Sequence, residues 1–179
     1  RQAKMVLADV MEDLQEHGVD FDHDLAVGMM VEVPAAVMMI DHFVKEVDFL
    51  SIGTNDLVQY TLAVDRSNKD VVALYNAADP AVLKLIGMTL EAARAKSVPT
   101  NLCGQMSGSP TYTMLLLGLG LRQFSVTPSA IPEIKKVCRS VTIEQCEQTA
   151  GRAQSMENAR DIKAYLKEEL RKHVPELAQ

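Results

Sequence analysis

Apolar residues recur at helical spacing from the start of the chain. In "QAKMVLADVMEDLQEHG" they fall at Met5, Val6, Val10 and Leu14, and Gly18 is placed to stop the helix. The pattern then changes period. "AVGMMVEV" is a short apolar run of strand length, and Pro34 opens a helical segment, "AAVMMIDHFVKE", from the first-turn position that proline favours. "VDFLSIG" predicts a second strand, "NDLVQYTLA" a short helix, and "DRSNKDVVALYNAA" a long loop with one turn. Asp79-Pro80 forms a cap-and-first-turn pair for the helix "AVLKLIGMTLEAARAK". "VPTNLCG" reads as a third strand, Ser109-Pro110 as a helix start, and "RQFSV" as a fourth strand. A helix follows from Pro132, Thr142 and Gln145 have the spacing of a capping box, and "ENARDIKAYLKEELRKH" closes the chain as a charged amphipathic helix.

Four short apolar strands alternating with helices predict βα units and a parallel sheet. Four units make half of a (β/α)₈ barrel or a small open sheet, and periodicity does not separate the two. No linker, repeat or low-complexity tract divides residues 1–179, so the chain reads as one piece of a domain. Its start at Arg1, already in helical pattern, suggests a part of a longer polypeptide.

Composition narrows the partners. A net charge of −6, with no basic stripe, argues against a nucleic-acid footprint. No apolar run reaches the ~18–20 residues of a membrane span. Cys103, Cys138 and Cys146 show no CxxC spacing and no even pairing, so they read as free thiols of a reducing cytoplasm, the last two structural.

The polar residues that break the apolar runs sit at the ends of the predicted strands. Glu32 lies near the end of the first, Asn55 and Asp56 follow the second, Cys103 ends the third and Ser125 the fourth. Ligands gather at that edge of parallel α/β sheets. Glu32 is either a salt-bridged or outward-facing residue, or one of two carboxylates, with Asp56, that suit a hard cation such as Mg²⁺. Gly53 and Asn55 have turn chemistry, Gly53 as a candidate positive-φ position. Arg66 pairs with its neighbour Asp65 on the surface, or clamps a phosphate or carboxylate. Taken alone, Cys103 is a small buried hydrophobe; beside a metal site, its thiol serves acid–base chemistry.

Three strings together are specific. "VGMMVEVPAAV", "VDFLSIGTNDLVQYTLAVDRSN" and "LCGQMSGSPTYTMLLLGLGLRQFSV" closely resemble the C-terminal part of the phosphoenolpyruvate-utilising enzymes. "YTLAVDRSN" and "VALYNAADPAVLKLI" favour the phosphoenolpyruvate–protein phosphotransferase branch (enzyme I of the bacterial sugar phosphotransferase system) over the synthase and dikinase branches. The resemblance implies a (β/α)₈ barrel of which these are the last four units. It implies Mg²⁺ or Mn²⁺ ligands at Glu32 and Asp56, phosphate-holding residues at Asn55 and Arg66, and a proton donor to the enol carbon at Cys103. It also implies phosphoenolpyruvate and pyruvate as substrate and product, transfer through a histidine to a histidine phosphocarrier protein, and a homodimer.

Gln105 departs from the Cys-Gly-Glu usual in that branch and matches the synthase branch, phosphoenolpyruvate synthase and pyruvate phosphate dikinase. A Mg²⁺-dependent pyruvate aldolase is the alternative outside the superfamily; it has no use for a phosphate clamp at Arg66. Two substrate-clamping arginines and the phospho-accepting histidine of the resembling enzymes lie outside these residues. The isolated chain is therefore expected to be inactive, and its two open sheet edges are expected to drive self-association.

Overall fold

In the computed structural model, which describes residues 1–177, the four expected strands form one parallel sheet. They are β1 (Gly28–Val31), β2 (Phe49–Gly53), β3 (Thr100–Cys103) and β4 (Gln123–Phe124), ordered as in the sequence. That order is what four consecutive units of a (β/α)₈ barrel present, with β1 and β4 left as edges.

Register explains why so few residues define the sheet. Val31 pairs with Ile52, Ile52 with Leu102 and Leu102 with Phe124, giving one apolar row across all four strands. Val31, Ile52 and Leu102 are fully buried, with Leu50 one step back on the same face. Each such side chain contributes about 1.5–3 kcal/mol on burial. Because successive strand residues face opposite ways, the next row, Met30, Ser51, Asn101 and Gln123, lies on the other face. No helix covers that face: Met30 remains 45% exposed and Phe49 36%.

The buried face is covered by helices α2 (Pro34–Met38), α3 (Ile40–Phe43), α4 (Thr54–Leu62) and α5 (Pro80–Ala95). The single helix expected after Pro34 is two short ones, broken at Met39. Both expose Met38 or Met39, so neither turn has burial holding it continuous. The preceding α1 (Gln2–Glu16) ends as predicted at Gly18, whose φ of +68° allows the Leu14 carbonyl to accept from Val19 N–H at 2.9 Å. None of its residues is buried.

The last helices build a second layer. Helix α6 (Pro110–Gly118) buries Tyr112 through Leu117 on all sides, and α7 (Ile131–Ser140), α8 (Ile143–Gln154) and α9 (Ala159–His173) enclose it. A small cluster there unites Met114, Leu117, Val137, Cys146, Leu170 and Val174. Cβ added at Gly118 would collide with the Cys146 carbonyl, so glycine is what lets α6 and α8 approach. The Thr142–Gln145 capping box is present in both directions, and Asp79 accepts from Ala81 N–H at 2.9 Å. Ser109 holds its N-cap position without a side-chain bond; its carbonyl instead accepts from the Thr113 hydroxyl. Among the described residues, no helix is long and apolar enough to cross a membrane. Cys146 is buried as expected of a structural thiol, whereas Cys138 is exposed because it falls on the outer side of α7.

Candidate active site

The C-terminal edge of the sheet collects the polar residues. Continuing the register one residue beyond β1 brings Glu32 opposite Gly53, which pairs with Cys103. Glu32 lies directly over Gly53: Cβ added there would sit 3.1 Å from both Glu32 Cβ and Oε2. Gly53 has φ −86°, so the positive-φ role considered for it does not apply. The glycine is there because the carboxylate fills its side-chain space. Asn55 and Asp56 are not loop residues, since α4 starts at Thr54 without a connecting loop.

Short bonds tie the β2–α4 junction to the end of β3. The Thr54 hydroxyl donates to the Cys103 carbonyl at 2.8 Å. Gln105 N–H donates to Asn55 Oδ1 at 3.0 Å. With its oxygen engaged, the Asn55 amide directs both N–H groups elsewhere, and they meet no acceptor among the described residues. The Tyr75 hydroxyl, from the loop after α4, donates to the Asn55 carbonyl at 3.2 Å. Burial raises the Tyr75 phenol above its usual range, with Arg66 beside it pulling the other way, so this donor stays protonated.

Arg66 does not pair with Asp65. Asp65 accepts from the Ser67 backbone and hydroxyl, which lower its carboxyl range, while Arg66 Nη2 lies 3.3 Å from Asp56 Oδ1. Both partners are more than a third exposed, and such pairs contribute about 0–1 kcal/mol. The pair can therefore open at little cost, releasing Asp56 for a cation and Arg66 for an anion.

Cys103 is partly exposed, with Sγ 4.0 Å from Met30 Sδ and 3.8 Å from Ser51 Oγ. It borders a cleft of about 550 Å³ shared with Asn55, Gly104, Gln105 and Ser125. A second cleft of about 400 Å³ lies on the other side of Asn55, lined by Tyr75, Asn76, Tyr112 and Lys163.

All five residues singled out for chemistry, Glu32, Asn55, Asp56, Arg66 and Cys103, thus lie along one edge. Thr54, Tyr75, Ser51 and Asn101 join them unforeseen. The last two are two residues before Gly53 and Cys103, so strand alternation was the available signal. A divalent cation fits Glu32 and Asp56 by donor chemistry, hard carboxylate oxygens, and by the space Gly53 leaves for Glu32. The chain itself offers only these two carboxylates; among the described residues no group of three or more His, Cys, Asp or Glu could hold a metal.

Comparison with known proteins agrees with this edge. Residues 1–143 match the family of the PEP-utilising enzyme, PEP-binding domain. The chain is 42% identical over 168 residues to the phosphoenolpyruvate-protein phosphotransferase of Haemophilus influenzae, an alignment covering 94% of this chain and 29% of that protein. The Priestia megaterium phosphotransferase is 40% identical over 167 residues, covering 93% and 29%. That of Cupriavidus necator is 42% identical over 146 residues, covering 82% and 25%. The chain spans under a third of the length of these relatives. With a family match over most of its length, this chain belongs to the PEP-utilising enzymes, as part of their PEP-binding domain.

Proposed function

We propose that this chain supplies the substrate-holding edge of a phosphoenolpyruvate–protein phosphotransferase. In that reading the phosphoryl group passes from phosphoenolpyruvate to a histidine of the same enzyme and on to a histidine phosphocarrier protein, leaving pyruvate. The observation that carries it is the Asn55 amide. Its oxygen is fixed by Gln105 N–H, its N–H groups are free, and Arg66 is held weakly nearby through Asp56. That is a donor set for a phosphate, with a thiol on the same edge.

Arg66 releases Asp56 and donates to the phosphoryl oxygens, where charge-assisted bonds to a planar fork are strongest. Asn55 adds neutral donors that are already oriented, so little order is lost on binding. Glu32 and Asp56 would hold Mg²⁺ or Mn²⁺, which when bound supplies positive charge beside the phosphoryl and enolate oxygens. Cys103 protonates the enol carbon: the carbon forms its C–H bond with the enolate electron pair, and the S–H pair stays on sulfur. Formation of the ketone makes the transfer hard to reverse.

A homodimer, a sugar-uptake role and a cytoplasmic setting belong to this proposal through the branch it names. The synthase and dikinase branch is the second reading, favoured by Gln105 alone.

The test is made in the full-length protein, by following phosphorylation of the protein by phosphoenolpyruvate and solvent hydrogen entry into the pyruvate methyl group. Arg66→Ala should weaken substrate binding by roughly 2–3 kcal/mol. Asp56→Ala should weaken Mn²⁺ binding and stop transfer, and Cys103→Ala should chiefly slow methyl protonation. Full transfer after Asp56→Ala would sink the reading, and ATP-dependent synthesis of phosphoenolpyruvate would replace it with the synthase.

A further inference from the structure

The two rows of the uncovered face hold a contact that the phosphate-holding residues leave unexplained. Ser51 Oγ lies 2.6 Å from Asn101 Oδ1, a distance at which its hydroxyl hydrogen is committed to that acceptor. The same Oγ lies 3.8 Å from Cys103 Sγ. A hydroxyl has one hydrogen and two lone pairs. With the hydrogen on Asn101, Ser51 presents only lone pairs to the sulfur, so the thiol is the donor between them. Met30 Sδ, 4.0 Å away, closes the other side of Sγ, and Thr54 fixes the Cys103 main chain through its carbonyl. The order is therefore Cys103 S–H to Ser51 O–H to Asn101 C=O, across β3 and β2.

We propose that Ser51 and Asn101 are positioning residues for the Cys103 thiol, keeping it protonated and aimed along the open edge until a carbanion competes for its hydrogen. This rests on the reading of Cys103 as the proton donor to the enol carbon. In the step itself, the enolate pair forms the new C–H bond, the S–H bond breaks, and its electron pair remains on sulfur. Ser51 then turns its hydroxyl from Asn101 to the thiolate, which it stabilises by donation until a water molecule returns a proton to sulfur. One hydroxyl thus serves both protonation states of the thiol, and Asn101 defines which state it serves at rest. Alanine at position 51 or 101 breaks the switch at different points, and threonine at 51 keeps it.

Two measurements test this. In the full-length protein, exchange of the pyruvate methyl hydrogens with deuterated solvent, followed by NMR, reads the proton step; phosphorylation by phosphoenolpyruvate reads the other. Ser51→Ala and Asn101→Ala should each slow methyl exchange about tenfold or more, with phosphorylation changed less than about twofold. Ser51→Thr should recover most of the exchange, and the Ser51→Ala/Asn101→Ala double variant should be no worse than the slower single one. In the 179-residue chain, alkylation of Cys103 by iodoacetamide, read by peptide mass with exposed Cys138 as internal reference, should change about threefold in Ser51→Ala and return in Ser51→Thr.

Wild-type exchange in both alanine variants, where Cys103→Ala abolishes it, overturns the proposal and leaves the donor reading intact. Failure of the donor reading shows differently, as undiminished exchange in Cys103→Ala. In that event the alkylation change still supports the contact, and unchanged alkylation overturns it.

Discussion

Gln105 reaches Asn55 through its main chain, its N–H donating to Oδ1 at 3.0 Å while its own side chain stays exposed. The residue type at 105 therefore does not enter the bond that orients the amide. This removes the force of the departure from Cys-Gly-Glu. Gln105→Glu should alter stability by less than about 0.5 kcal/mol, as exposed substitutions do, and should leave substrate affinity close to wild type.

Gly104 is the opposite case. It has φ +97°, and Cβ there would stand 2.5 Å from Thr54 Oγ1 and 2.9 Å from Asn55 Oδ1. Both atoms are already committed, one to the Cys103 carbonyl and the other to Gln105 N–H. Gly104→Ala should thus cost substrate binding and stability together, by about 1–3 kcal/mol of backbone strain. Urea unfolding and a binding titration on the same variant check this. A wild-type result in both would mean that the β3–α6 turn does not orient Asn55.

Much of this edge could be read from the sequence, for a physical reason. Val31, Leu50, Ile52 and Leu102 alternate with Met30, Ser51, Asn101 and Cys103, and period-2 alternation survives any tertiary context. The resemblance then supplied roles for Glu32, Asp56 and Cys103 that spacing left open. Other features depend on contacts between distant segments. Arg66 beside Asp65 in sequence gives no sign that it reaches back to Asp56, and Tyr75 none that it meets Asn55. The helix break at Met39 lies in a continuous apolar run, where propensity alone favours no interruption. The stacking of α8 on α6 rests on Gly118, a glycine that looks like any other inside "LLLGLG" until its neighbour is known.

Two helices end on the wrong residue. Ala63 closes α4 at φ +52°, with Val64 N–H donating to the Gln59 carbonyl, and Ser97 follows α5 at φ +55°, with Val98 N–H donating to the Ala93 carbonyl. These are left-handed cap positions, which cost an L-residue roughly 1–2 kcal/mol. Glycine removes that penalty and returns part of it as unfolded-state entropy. Ala63→Gly and Ser97→Gly should each stabilise by about 0.5–1 kcal/mol, raising Tm by about 1–4 °C. A lower Tm in both would show that the caps are not where strain resides.

The second layer carries a pH signature. Burial pushes the Cys146 thiol from 9.0 up to about 11, with the neighbouring Cys138 adding to the shift. In the unfolded chain this thiol ionises near 9, while the folded chain keeps its proton to about 11. Between those values the unfolded state binds fewer protons, so stability falls as pH rises. The contribution is full below pH 9 and is lost through the window up to 11, a change of about 2–3 kcal/mol. Cys146→Ala should lower stability at pH 8 by opening a small cavity, yet show a shallower decline above pH 9. Parallel curves for the two proteins in urea melts would rule out Cys146 as the source.

The sheet has two unpaired edges, β1 and β4, and a face that no helix covers. Met30 and Phe49 are 45% and 36% exposed on that face. Helix α1 adds Met5 at 66%, Val6 at 61% and Val10 at 47%, so its apolar stripe also lies in solvent. Unpaired strand edges template further pairing, and apolar patches of more than a few hundred Å² are rarely left open in monomers. Studied as the isolated 179-residue chain, this protein should therefore self-associate at micromolar concentration, seen as a sedimentation coefficient that rises with loading. Charge placed on the open face should reverse it: Phe49→Lys, directed away from the buried row of Leu50 and Ile52, should shift the population to monomer without unfolding the sheet. A folded wild-type monomer at those concentrations would show that the open face is tolerated in water. Association undiminished by Phe49→Lys would move the contact to α1, where Val6→Lys is the corresponding variant.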